Sequence, residues 1–179
     1  VEDLKGIKIR SPEGLAADVF RRAGAAPVSI PFSEVFTSLD KGIVDAADAS
    51  AFVNNEASGM HKVAKFPIYP GIHSMSVLQF VVNKDYWEKL SEQEQTVLEV
   101  WFVAAYTTML RQADLQDRDL VAEYKKSGEV EIVDWSTEDR RKFREIAVAA
   151  WEDAASKSDL AREALNAHLS YMRRIGLLD

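Results

Sequence analysis

Three short apolar runs, each closed by a turn and followed by a helical stripe, succeed one another within the first 65 residues. Gly6 to Arg10 alternates, with Ile7 and Ile9 on one face and Lys8 and Arg10 on the other, until Ser11-Pro12 ends it. Leu15, Val19 and the nearby alanines form a helical stripe that stops at Gly24. Pro27 to Ile30 predicts a second strand. Pro31-Phe32-Ser33-Glu34 then opens a second helix, with Ser33 as its N-cap and Glu34 suited to the positive end of the helix dipole. That helix turns Val35, Phe36 and Leu39 inward and ends near Gly42. Ile43 to Ala47 predicts a third strand, and Asn54 to Lys65 a third helix. Ser76 to Val82 is nearly continuous in apolar residues, which predicts a strand buried on both faces. Strands alternating with helices imply an α/β lobe with a mostly parallel sheet.

Beyond Asn83 the pattern becomes helical. Ser91-Glu92-Gln93-Glu94 is a capping box, in which Ser91 and Glu94 each satisfy a free amide at a helix start. The helix it opens carries Leu98, Trp101, Phe102, Ala105 and Met109 at helical spacing, and nothing breaks it before Ser127-Gly128. Glu129 to Trp135 predicts one more short strand. Ser136 and Thr137 cap a helix through Ile146, Val148 and Trp151. A final helix from about Asp159 to Ile175 sets Leu160, Ala164, His168, Tyr171 and Ile175 on one side. The pattern divides into residues 1–82, an α/β ligand-binding lobe, and residues 83–179, a long connecting helix, a short strand and C-terminal helices. The chain begins almost inside a strand, so the first strand is either a sheet edge or the start of a fragment.

Composition narrows the function classes. The formal net charge of −7 argues against a nucleic-acid partner, because duplex binding draws most of its affinity from Lys and Arg on phosphates. The basic cluster Arg140, Arg141, Lys142 and Arg144 sits among Glu138, Asp139 and Glu145 and reads as a solvated helix face. Cysteine is absent, which excludes disulfides, thiolate nucleophiles and Cys-based metal sites. No apolar run approaches the roughly 20 residues of a membrane span, and no basic n-region with an apolar h-region opens the chain, so the expectation is that an export signal was removed or was never there. There is no G-x-G, no G-x-S-x-G and no H-E-x-x-H. His61 and His168 lie within helical patterns and read as packing or surface residues, and Asp45 and Asp48 more often close a turn than perform acid–base chemistry.

The informative residues lie at strand ends, because an open α/β sheet binds ligands outside the carboxyl ends of its strands. Arg10 and Ser11 end the first strand, Phe32 lies just past the second, Asp48, Ala49 and Ser50 follow the third, and His73-Ser74 precedes the buried strand. A guanidinium at such an end grips a carboxylate through two parallel charge-assisted hydrogen bonds. Two other readings stay open: a small α/β enzyme using Asp45, Asp48 and His73, and a helical interaction module that presents the Trp101–Phe102 stripe to a partner.

Ordered blocks across residues 3–90 resemble the solute receptors of TRAP-type transporters, the DctP-like family. Asp3-Leu4-Lys5-Gly6-Ile7-Lys8-Ile9-Arg10 and Gly24-Ala25-Ala26-Pro27-Val28 resemble the start of that family's second lobe. Pro31 to Phe36, Gly42 to Ala47, His61 to Lys65, and Val82-Asn83-Lys84 with Trp87 continue the likeness. The resemblance implies a type II-like periplasmic-binding-protein fold, here an incomplete two-lobe receptor. It also implies a periplasmic, non-enzymatic receptor that captures a small organic acid for a TRAP membrane permease. In that reading Arg10 makes the salt bridge to the ligand carboxylate. Phe32, Asp48, Ala49, Ser50, His73 and Ser74 line the ligand. The keto-acid subgroup holds a metal ion with the Asp48–Ala49 segment and an acidic residue near Ser74. Ala49 and Ser74 depart from that set, so the expectation is no cofactor, with a metal ion kept as the alternative. The last helix resembles one through which some members form homodimers, and packing on its own chain is the alternative.

Overall fold

The chain enters through Lys8–Arg10 (β1), which lies between two parallel neighbours, Ala26–Val28 (β2) and Ala46–Ala47 (β3), in the order β2-β1-β3. Register pairs Arg10 with Val28 on one side and with Ala47 on the other. Between them run helices α1 (Leu15–Arg22) and α2 (Val35–Asp40), then α3 (Phe52–Ala57) and α4 (Met60–Val63). The computed structural model describes residues 1–72 and 79–178. After α5 (Lys84–Trp87) come α6 (Glu92–Ser127), α7 (Thr137–Ala155) and α8 (Asp159–Arg174).

The main core joins the sheet to the C-terminal half. Ile9, Val19, Phe20 and Ala25 pack with Phe143, Ala147 and Ala150 of α7. The Phe20 and Phe143 rings lie 5.7 Å apart, and Trp135 meets Phe143 edge-on at 5.5 Å. Burying a phenylalanine of this kind stabilises a fold by about 1.5–3 kcal/mol. A division after residue 82 therefore describes chain order, while α7 belongs to the same packed unit as β1 and α1.

The capping box forms as the sequence predicts: Ser91 Oγ accepts from the Glu94 amide, and the Glu94 carboxylate accepts from the Ser91 amide at 2.8 Å. The helix it starts runs 36 residues, about 54 Å at 1.5 Å per residue. It ends where Gly128 adopts a left-handed φ of 69°, the conformation that closes helices at little cost only for glycine. Its last turns bury Val121 and Tyr124 against Phe52. Its earlier turns expose Val97, Val100, Trp101, Val103, Met109 and Leu110.

Several predicted elements differ. Residues 76–78 lie outside the described residues, and residues 79–82 form no strand; Phe80 is 46% and Val81 80% exposed. An apolar run becomes a buried strand only between paired neighbours, and among the described residues no strand of the three-stranded sheet pairs with residues 79–82. Phe80 instead packs on α6 through Trp101 and Phe102. The predicted helix over 54–65 is two helices, interrupted at Gly59 with φ 75°. Glu129 to Trp135 contributes an isolated parallel bridge, Val133 to Ile68, rather than a strand.

Ser33 caps nothing, because a 3-10 turn over Phe32–Glu34 precedes α2. That tighter turn shifts the phase, so Val35 and Ser38 are buried and Phe36 is exposed. On α8 the inward face is Leu165, Leu169 and Met172; Leu160, Tyr171 and Ile175 face outward, while His168, exposed on one side, meets the Trp151 ring of α7 edge-on at 5.5 Å. Two apolar stripes were available, and packing against α7 selected one, with Arg162 paired to Glu152 beside it. Arg141 is the solvated side chain expected, paired with Glu138 and Glu145. Arg140 is not: it donates to the carbonyls of Pro70 and Gly71 at 2.8 and 3.1 Å.

Candidate ligand-binding site

Arg10 is the last residue of the central strand, so its side chain leaves the sheet at the point where the chains of both neighbours emerge. Its Nε donates to the carbonyl of Ile30 at 2.9 Å, just beyond β2. Its Nη1 donates to the carbonyl of Asp48 at 2.6 Å, just beyond β3. The side chain is 7% exposed, and among the described residues it makes no salt bridge and Nη2 makes no hydrogen bond. A buried cation is costly unless an anion accompanies it. Here neutral carbonyls aim the group and leave its charge uncompensated among the described side chains.

The strand order places this group at a topological switch point, where the connections after β1 and β3 diverge and leave a crevice. The Asp48 amide donates to the Arg10 carbonyl at 2.8 Å, continuing the β1–β3 ladder, and the Ser11 amide donates to Val28 at 3.1 Å, continuing the other. Ser11 is fully buried. Phe32 stands in the 3-10 turn after β2 with its ring 43% exposed. Ala49 is half-buried and Ser50 exposed. The Ser50 hydroxyl and carbonyl accept from the side-chain amides of Asn54 and Asn55 at 3.2 and 3.0 Å, which fixes the turn into α3. The structure thus gathers Arg10 and the Asp48–Ser50 segment at one sheet edge. His73 and Ser74 lie outside the described residues.

Asp45 does not join the site. Its carboxylate accepts from the Lys8 amide at 2.8 Å at the other end of β1, a structural contact one strand-length from Asp48. Among the described residues no three Asp, Glu or His side chains converge as a metal site. The Asp48–Ser50 segment offers one carboxylate, so the described donors do not fit a metal ion.

A second polar cluster, not anticipated from the sequence, joins α3 and α4 to α6. The N-cap position of α3 is Ala51, which has no side-chain acceptor, and the Val53 amide is capped at 2.7 Å by Asp117 of α6 instead. Tyr124 donates to the Glu56 carboxylate. His61, 3% exposed, packs against the rings of Phe52 and Tyr124 at 4.4 and 5.6 Å. Glu56 Oε2 lies 3.2 Å from His61 Nδ1, close enough for an ion pair but without hydrogen-bond geometry. Burial lowers the His61 pKa, against the opposing pull of Glu56, and burial together with Glu56 raises that of Tyr124. The sequence signal for the long-range cap was a deficiency: a helix start without Ser, Thr, Asp or Asn requires an acceptor from elsewhere.

Comparison with known proteins gives the geometry a context. A TRAP periplasmic solute-binding protein from Rhodobacter sphaeroides is 42% identical and superposes with a TM-score of 0.78, covering 98% of this chain and 56% of its own. One from Colwellia psychrerythraea, solved with bound calcium and pyruvate, is 27% identical with a TM-score of 0.79, over 97% of this chain and 53% of that one. A monocarboxylate 2-oxoacid-binding periplasmic protein from Nostoc is 30% identical over 98% of this chain and 48% of its length. The chain thus spans about half the length of the relatives it matches. Residues 1–158 match the family described as bacterial extracellular solute-binding protein, family 7 (DctP), and the chain belongs to that family.

Proposed function

We propose that this chain forms the arginine-bearing part of a periplasmic receptor that captures a small organic acid and delivers it to a TRAP membrane permease. The observation that carries this reading is Arg10: a buried guanidinium, aimed by two carbonyls from the flanking strand exits, with no ionic partner among the described residues. A ligand carboxylate supplies the missing anion, gripped through the Nη edge that the carbonyls leave open. Phe32 contributes an apolar wall, and Asp48, Ala49 and Ser50 line the side formed by the β3 exit; His73 and Ser74 complete the ligand-lining set. Exclusion of water when a second lobe closes over the crevice strengthens the pairing.

The exposed apolar turns of α6 support the two-lobe arrangement, since an apolar surface of this extent usually marks contact with another body. They equally suit the interaction-module reading, which lacks any use for Arg10. Binding without chemical turnover is part of the proposal, and so is binding without a metal, because Ala49 and the single carboxylate of its segment do not make a cation site. Homodimerisation through the exposed side of α8 remains a separate proposal, testable by sedimentation.

Calorimetric titration of the intact receptor against pyruvate, malonate and other small carboxylates, with and without chelator, tests the reading. Saturable binding that survives chelation and raises the melting temperature by mass action is the expected result. No binding across the panel sinks it.

A further inference from the structure

We infer that Asp117 is a positioning residue for the binding site: it holds the start of α3, and through it the Asp48 carbonyl that aims Arg10, against the long helix α6. The inference rests on the carboxylate-binding reading of Arg10. The chain of contacts is short and continuous. Asp117 Oδ1 accepts from the Val53 amide at 2.7 Å. Residues 50–55 form one hydrogen-bonded turn, in which Ser50 accepts from Asn54 and Asn55. Two residues before Ser50, the Asp48 carbonyl receives Arg10 Nη1 at 2.6 Å. Ala51 has no side-chain acceptor and cannot hold this helix end locally.

Glu56 and Tyr124 fasten the other end of α3 to the same helix, and Phe52 buries between them with Tyr69 and His61. Each end of α3 is therefore tied to α6, and the ligand-facing segment moves only as α6 allows. Among the described residues the guanidinium has one other anchor: without the Asp48 carbonyl, Ile30 alone fixes its plane. Bidentate recognition of a carboxylate depends on that plane, because two parallel bonds form in one orientation only.

The test uses the intact receptor and pyruvate as probe, at a temperature where every variant is folded. Asp117→Ala is expected to weaken binding about tenfold, the scale of one misaligned charge-assisted bond. Asp117→Asn, which keeps an acceptor for Val53, is expected to bind within about twofold of wild type. In an Arg10→Lys background the loss on Asp117→Ala should vanish, since the two residues act through one fork. Wild-type affinity in Asp117→Ala, or losses that simply add, overturns the inference. If Asp117→Ala does not fold, Asp117→Glu carries the test: its longer arm displaces the helix end with charge retained, so weaker binding is expected and unchanged binding overturns. If the wild type binds no carboxylate, the functional reading fails on its own, and hydrogen exchange at the Asp48 amide decides. Faster exchange there in Asp117→Ala, with Ala26 unchanged, supports the positioning role; equal exchange refutes it.

Discussion

Replacing Arg10 with lysine keeps the charge and removes the fork, and the structure fixes what that costs. The guanidinium satisfies two carbonyls, Ile30 at 2.9 Å and Asp48 at 2.6 Å, from two different nitrogens. One ammonium nitrogen cannot stand at both positions and also face a ligand, so one buried carbonyl loses its donor, at about 1–3 kcal/mol. For a chain of this size that lowers the melting temperature by about 2–12 °C. On the ligand side, a bidentate grip becomes a single charge-assisted bond. The loss of about 1.5–3 kcal/mol raises Kd by about 10–150-fold. Thermal melts of the unliganded protein and calorimetry with the best-bound carboxylate read the two effects separately. A lysine variant that melts at the wild-type temperature and binds within twofold would refute both the carbonyl clamp and the role given to the guanidinium.

Phe20→Ala should destabilise the protein by about 3–5 kcal/mol in urea titrations, because the ring is fully buried against Phe143 and its loss leaves a cavity. Val103→Ala, at a site 64% exposed, should change stability by less than about 0.5 kcal/mol in the isolated chain; a large loss would mean that this face of α6 is covered. Ser91→Ala should cost about 0.5–2 kcal/mol and speed amide exchange in the first turn of α6, since it removes the acceptor of the Glu94 amide, while the Gln95 side chain still ties that turn to the Trp87 carbonyl. His61 is held neutral by burial, with a pKa below the ordinary 6.5. The unfolded chain then binds the extra proton first, so this group's contribution should fall as pH drops from about 6.5 towards the lowered value and stay flat above about 6.5. His61→Gln should flatten that segment of the stability–pH curve, and an unchanged slope would assign it to other groups.

The resemblance that identifies the family rests on residues 3–90, and the structure agrees with its fold: short parallel strands, intervening helices and a long helix opened by a capping box. Those features are local. Alternation with period two, a glycine at a left-handed helix end and a serine three residues before a partner glutamate each act within a few residues of chain, so they can be read one window at a time. Arg10 was legible for the same reason, as a charged residue at the end of a strand in an α/β pattern.

What the windows could not contain is pairing over distance. Residues 79–82 carry the composition of a buried strand, but a strand exists only beside a partner, and this sheet provides none for them. The apolar stripes of α8 are equivalent in sequence, and only contact with α7 separates the buried one from the exposed one. The clamp on Arg10 uses backbone carbonyls from residues 20 and 38 positions away, and α3 is capped from 64 positions away. Carbonyls are present at every position and carry no sequence signal. The sequence by itself therefore determined which arginine ends a strand of the α/β pattern, while tertiary structure alone decided what aims it, because aim depends on atoms that become neighbours only when the chain folds.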